Sequence, residues 1–198
     1  MHEIALILLG TALVNNVLLA QTLGVSALLG MSASRKSAAL GRTLDFAAAT
    51  GLLLVTGTGA NHLLYHGLLV PLQIAYLALP VFVLVIAMAA HLILTGSRRL
   101  RHRHHRQLEA RRNLLIANAA VLGVALSEVA GTASLPLALL GALGAALGFA
   151  LVLVLLAGLR EQLVEGAVPR PFRGSAIAMI TAGLMALAFM GFSGLARL

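Results

Sequence analysis

The stretch Leu13 to Gly30, LVNNVLLAQTLGVSALLG, decides how this chain is read. Its apolar residues suit the interior of a bilayer, yet it also carries Asn15, Asn16, Gln21, Gly24 and Ser26, which a plain hydrophobic anchor does not require. Side-chain amides can satisfy the backbone groups freed where a membrane helix is interrupted, so the stretch reads as a broken or re-entrant segment. The competing reading is a set of amides bonding between intact helices. A second stretch, Leu114 to Gly123 (LLIANAAVLG), has the same character around Asn118. Each has a small residue four positions before a glycine, Ser26 before Gly30 and Ala119 before Gly123, and each lies near the start of one half of the chain.

The 198 residues are 60% hydrophobic and only 10% charged, whereas a soluble domain carries about 25% charged residues. The chain is therefore read as an integral membrane protein. The first apolar run follows only His2 and Glu3, with no basic leader region, and is expected to be retained as a helix. Six apolar segments can be marked, approximately 4–24, 38–58, 71–95, 113–129, 135–159 and 175–195, each close to the ~20 residues that cross ~30 Å of hydrocarbon. The expected fold is all-α, a single membrane domain over 1–198. Its two halves, 1–96 and 113–198, are joined by the basic loop 97–112.

The net charge of +8 is concentrated in alternate loops. Arg35 and Lys36, with Arg42 just beyond, mark the first; Arg98, Arg99, Arg101, Arg103, Arg106, Arg111 and Arg112 the third; Arg160, Arg170 and Arg173 the fifth. The second loop, read as Gly59 to Val70, and the fourth, Ala130 to Ser134, contain no Lys or Arg. By the positive-inside rule the odd-numbered loops are cytoplasmic and both termini lie outside. This pattern, with no aromatic residues interleaved for base stacking, argues against nucleic acid as a partner.

Two halves of three crossings each have opposite orientations, so if they are related they are inverted repeats, with broken helices meeting near the midplane. Asn15, Asn16, Gly24, Gly30, Asn118 and Gly123 are the candidate broken-helix positions. Gly144 and Gly148 form a GxxxG pair suited to close helix packing, within the chain or against a partner.

The remaining polar residues point more weakly to chemistry. Asp45, three residues after Arg42, is read as half of a local ion pair in preference to an ion-translocating carboxylate. His91 reads as a helix-end or packed histidine, with proton relay as the alternative. Glu128 is read as interfacial. Histidines 102, 104 and 105 sit among arginines and read as a solvated basic face, not a metal site. The absence of cysteine excludes disulfides, thiolate nucleophiles and cysteine-ligated metal centres supplied by this chain. No catalytic residue and no metal-ligating set stands out.

The run Val168 to Leu195, VPRPFRGSAIAMITAGLMALAFMGFSGL, closely resembles the end of the Rnf A component of the Rnf (Rsx) electron-transport complex, a relative of the Nqr E component of the sodium-pumping NADH:quinone reductase. LGFALVLVLLAGLREQL (Leu147 to Leu163), AVLGVAL (Ala120 to Leu126) and LVNN (Leu13 to Asn16) resemble the same family in register. The resemblance implies a six-helix bacterial inner-membrane subunit built of inverted repeats. It implies pairing with a homologous subunit of opposite orientation, of the Rnf E or Nqr D kind, in a complex that couples electron transfer to ion movement. In that family each broken segment presents a cysteine, and the pair helps hold a two-iron, two-sulfur (2Fe-2S) cluster at the partner interface. There the family pattern reads like LGLCPFxG and TNCAVLG; this chain has LGVSALLG and ANAAVLG, with Ser26 and Ala119 at the cysteine positions. The resemblance thus identifies these two as the cofactor-binding positions, while the ligands themselves are absent, and no cofactor is expected from this chain alone.

The expected function is a membrane subunit of an Rnf-type complex, contributing the scaffold and an ion path without a redox centre of its own. The alternatives are a free-standing inverted-repeat carrier with Asn15, Asn16 and Asn118 at a midplane site, or a non-redox assembly subunit.

Overall fold

A computed structural model describes residues 2–31, 39–100, 108–131, 134–162 and 168–192. Among the described residues the secondary structure is entirely helical. The order is α1 (His2–Leu9), continued by a π turn (Gly10–Val14), α2 (Val25–Met31), α3 (Ala39–Leu64), continued by a second π turn (Tyr65–Leu69), α4 (Ala78–Leu100), α5 (Arg112–Ile116), α6 (Ala119–Gly131), α7 (Leu135–Gln162) and α8 (Ser175–Met190). Four stretches, Leu40–Leu69, Ala75–Ser97, Arg112–Val129 and Leu135–Gln162, are long and apolar enough to cross a membrane; Ser175–Met190 is apolar but shorter.

The two central helices are α3 and α7, which make the most extensive pairing in the molecule; α6 and α4 pack on α3, and α1 with its π turn packs on α7. Small residues make this possible. Gly51 faces Ala146 at 3.4 Å and Gly59 faces Leu139 at 3.2 Å, measured from the position a Cβ would occupy. With no side chain in the way the backbones approach closely, which is how helices associate where lipid removes the hydrophobic drive. Phe46, Leu53, Leu54, Phe82, Val121, Val124, Phe149 and Val152 fill the space between them, all at most 1% exposed. Outward-facing Leu84, Met88 and Leu92 on α4 and Leu184 and Leu187 on α8 are each more than 60% exposed, an apolar exterior suited to lipid or to a membrane partner.

The structure corrects two sequence boundaries. The expected second loop from Gly59 to Val70 is helical as far as Leu69. Its polar residues Asn61 and His62 are buried, so tertiary packing overrides their preference for a loop. The expected third segment does not begin at Pro71: Val70 to Ile74 form a turn in which Gln73 takes φ +57°, and α4 starts at Ala78 with Pro80 in its first turn, where a missing N–H costs nothing. Residues 35, 36, 102, 104 and 105 lie outside the described residues.

Candidate functional site: two helix breaks that meet

The first apolar segment is not one helix. Its π turn closes with the Asn15 N–H donating to Gly10 O at 2.7 Å, and regular helix does not resume until Val25. Asn16, 1% exposed, organises the gap. Its Nδ2 donates back to Ala12 O at 2.7 Å, and its Oδ1 accepts from the N–H groups of Leu18 at 3.0 Å and Leu19 at 3.3 Å. One amide thus satisfies a carbonyl left by the ending helix and two N–H groups of the following turn, which would otherwise be stranded in an apolar setting. Asn15 is exposed, and its Oδ1 accepts from Gln21 Nε2 at 3.2 Å. Thr22 is held at φ +55°, a rare conformation for a β-branched residue, and Gly24 at φ +87° turns the chain into α2.

The fourth apolar segment is interrupted in a shorter way. α5 ends at Ile116, Ala117 leaves helical geometry, and Asn118 caps α6 by accepting the Ala120 N–H on Oδ1 at 3.1 Å. Asn118 is 3% exposed, and its Nδ2 has no partner within the chain.

The two interruptions are in contact. A Cβ on Gly24 would stand 3.1 Å from Phe149 Cε2, 3.2 Å from Ala120 Cβ and 3.4 Å from Asn118 Oδ1. Leu23 occupies the space that a side chain at Gly123 would take. Behind them runs α7. Gly144 receives Thr11 and lies 3.2 Å from Leu8 O, and Gly148 lies 2.5 Å from Ala12 O and 2.7 Å from Asn16 Nδ2, again from the Cβ position. The GxxxG pair is therefore used within the chain, to seat the end of α1 and the first break. Gly141, on the same face, lies beneath the carboxylate of Glu128 from α6. Glu128 is half-buried, with its carboxylate against α7.

Of the expected positions, Asn16, Gly24, Asn118 and Gly123 converge; Asn15 is turned outward, and Gly30 lies within α2. Ser26 and Ala119 are the second residue of α2 and the first of α6, each just past a break, and both are exposed. They offer a hydroxyl and a methyl group. His91 is exposed on α4, and Arg42 and Asp45 are half-buried at the start of α3. No group of three or more metal-ligating side chains occurs among the described residues. Arg111, just before α5, has its pKa lowered by burial and by the neighbouring Arg42.

Sequence reasoning missed a polar face on α3. Thr50, Thr58 and Asn61 are each 0% exposed and His62 is 4% exposed. The signal is present as threonines and an Asn-His pair beside an otherwise apolar stretch, but in sequence alone Asn61 and His62 fall in the expected second loop.

One family model and three relatives place the chain among known proteins. A family model described as "Rnf-Nqr subunit, membrane protein" matches residues 4–196. The chain is 40% identical over 198 residues to a protein of Aeromonas hydrophila subsp. hydrophila named as the A component of the ion-translocating oxidoreductase complex, covering all of both chains. It is 42% identical over 197 residues to the protein of the same name from Pseudoalteromonas translucida, again over all of both chains, and 42% identical over 196 residues to that from Cereibacter sphaeroides, over 99% of each. With its apolar helices, the chain is a multi-pass membrane protein and belongs to the Rnf-Nqr family of membrane subunits.

Proposed function

We propose that this chain is the A-type membrane component of an ion-translocating oxidoreductase complex, in which electron transfer drives ion movement, and that it contributes no ligand to an iron–sulfur cluster. The observation that carries the first part is similarity over the whole length to proteins of that name, joined to two helix breaks that touch. The second part rests on side-chain chemistry. Thiolates hold such clusters; serine is a poor iron ligand and alanine is none. The donor set at Ser26 and Ala119 does not fit the group, so no electron step is routed through it here.

In this reading the chain has six crossings in two inverted three-helix halves. The first and fourth crossings are the broken ones, and the Asn16 and Asn118 turns are equivalent features of the two halves. The arginine distribution supports an inner-membrane protein with basic loops in the cytoplasm and both termini periplasmic. Exposure of Ser26 and Ala119 beside the breaks supports a partner protein covering that surface, a homologue of opposite orientation being the fit.

The experiment is purification of the tagged chain from its native membrane under mild detergent, with identification of the copurifying subunits and iron analysis. Recovery with several membrane and redox subunits is expected. Recovery as a homo-oligomer alone, with the neighbouring subunits present in the same membranes, overturns the complex reading. Stoichiometric iron assigned to this chain and its partner and lost on Ser26→Ala overturns the ligand-free reading.

A further inference from the structure

Hydroxyl groups inside this chain mostly satisfy themselves. Thr11 donates to Ile7 O at 2.8 Å, Thr56 to Leu52 O at 2.7 Å, Thr95 to His91 O at 2.9 Å, Ser127 to Val124 O at 3.0 Å and Thr181 to Ile177 O at 2.7 Å, each back along its own helix. Thr50 and Thr58 do not: both are 0% exposed and their hydroxyls have no partner in the chain. Asn61 is 0% exposed as well, and neither its Nδ2 nor its Oδ1 is bonded. Each such group costs about 1–3 kcal/mol when buried without a partner. Asn61 lies one helical turn past Thr58, and 11 residues separate it from Thr50, so the three lie along one face of α3 over about 16 Å.

The same face ends in two imidazoles. His62 and His66 are one turn apart with ring centroids 4.4 Å apart, and Tyr65 meets His66 edge-on at 5.1 Å and Phe82 at 6.2 Å. The Nε2 of His66 is buried and has no hydrogen-bond partner. His66 lies in the π turn Tyr65–Leu69, a local widening of the helix that is often found at functional sites. The elements packed here bring Ile86 and Phe82 from α4, Val121 and Glu128 from α6, and Leu139 from α7. Glu128 is the titratable group among them. Its carboxylate lies over Gly141, and Leu139, two residues earlier, packs on Gly59 of α3, so it stands within about a helical turn of the level of Thr58.

Burial decides what can reach these groups: Thr50, Thr58 and Asn61 are 0% exposed, and His66 is half-buried with its Nε2 enclosed. A partner protein cannot touch a polar atom that this chain already encloses, and lipid offers no hydrogen bond. Only a species the size of water or smaller can supply the missing partners, and a paired imidazole is the side-chain group whose charge changes near neutrality. We propose that Thr58, Asn61, His62 and His66 form a proton-binding site, in which the His62–His66 pair takes a proton from water and returns it to water. Asn61 and Thr58 hold that water beside the pair, and Thr50 extends the hydrogen-bonding face toward the middle of α3. Polar groups retained at such depth in a membrane protein characteristically mark ion and proton routes. The proposal deepens the reading of the chain as part of an ion-translocating complex and rests on it.

The test uses the whole complex in proteoliposomes with an internal pH dye, comparing wild type with His62→Gln, His66→Gln and Asn61→Leu. Loss of electron-transfer-driven pH change is expected in all three, with assembly and electron transfer to an added acceptor retained. Asn61→Leu should melt no lower than wild type, because it replaces two unpartnered polar atoms with an apolar group of similar size. A pH change at the wild-type rate in both histidine variants overturns the proposal, as does a lower melting temperature for Asn61→Leu with pumping intact. If no complex is recovered, the functional reading fails while the site remains testable. The 15N resonances of His62 and His66 in the full-length chain in nanodiscs should move with pH, and two imidazoles that stay unchanged across the neutral range overturn the site.

Discussion

Asn118 stands against Gly24, its Oδ1 3.4 Å from where a Cβ on Gly24 would lie, so the residue that restarts the helix in the second break closes on the residue that turns the chain out of the first. Neither break could keep its form alone. The φ of +87° at Gly24 lets Leu23 descend onto Gly123, and the absence of a side chain there lets Asn118 remain buried while capping α6.

Gly24→Ala is therefore expected to damage the whole site. The methyl group meets the left-handed backbone, at about 1 kcal/mol, and three close neighbours, at about 1–3 kcal/mol more. Gly148→Ala, whose Cβ would lie 2.5 Å from Ala12 O and 2.8 Å from Ala12 Cα, should cost at least as much, since backbone cannot swing aside as a side chain can. Gly10→Ala, with nothing within 4 Å of the Cβ position, should leave stability unchanged. Thermal melting of the three variants in one detergent checks the ranking.

The two asparagines should separate in the same measurement. Asn16→Leu strands Ala12 O and the N–H groups of Leu18 and Leu19, and buried groups so abandoned cost about 1–3 kcal/mol each before relaxation. Asn118→Leu removes one cap bond, worth about 1 kcal/mol, and an Nδ2 that has no partner in the chain. The expected order of melting temperature is wild type, then Asn118→Leu, then Asn16→Leu well below. The reverse order would show that Asn118 holds the site together more than the geometry implies.

Both breaks were legible in the sequence because amides and glycines in an apolar run have few other uses. The contact between the breaks was not, since 94 residues separate Gly24 from Asn118 and no local pattern records their approach. The helical identity of Gly59 to Leu69 was hidden for a different reason. Asn61, His62 and His66 fall in the stretch read as a loop, and only packing against α4 and α7 reveals Asn61 and His62 as enclosed and His66 as half-buried. The exposure of Ser26 and Ala119 is likewise a tertiary property. The local sequence around them does not record that both are exposed.

Arg111 carries a pH prediction with a definite sign. Burial and Arg42 lower its pKa, so the fold disfavours the charged guanidinium. A base with a depressed folded pKa withholds stability at all pH values below that pKa and returns it only as pH rises through it, far above neutrality. At neutral pH the cost is therefore present in full. Arg111→Gln should melt at or above the wild-type temperature, and added salt should narrow the difference by screening the repulsion from Arg42. A variant that melts clearly lower at every salt concentration would assign Arg111 a stabilising contact instead.

A chain without cysteine allows the partner surface to be mapped one thiol at a time. Ser26→Cys and Ala119→Cys place thiols at exposed positions beside the breaks, whereas Ala120→Cys places one at a position that is 0% exposed. Accessible thiolate governs reaction with maleimide, so in the isolated, solubilised chain the first two should label about tenfold or more faster than the third. If, as proposed, a partner covers the surface between the breaks, the labelling of Ser26→Cys and Ala119→Cys should fall toward that of Ala120→Cys in the assembled complex. Tyr76→Cys, at a position that is 79% exposed in the turn before α4, should label in the isolated chain and report whether general access was lost. Protection of Ser26 and Ala119 with Tyr76 still reactive would place the partner at the two breaks; equal labelling in chain and complex would place it elsewhere.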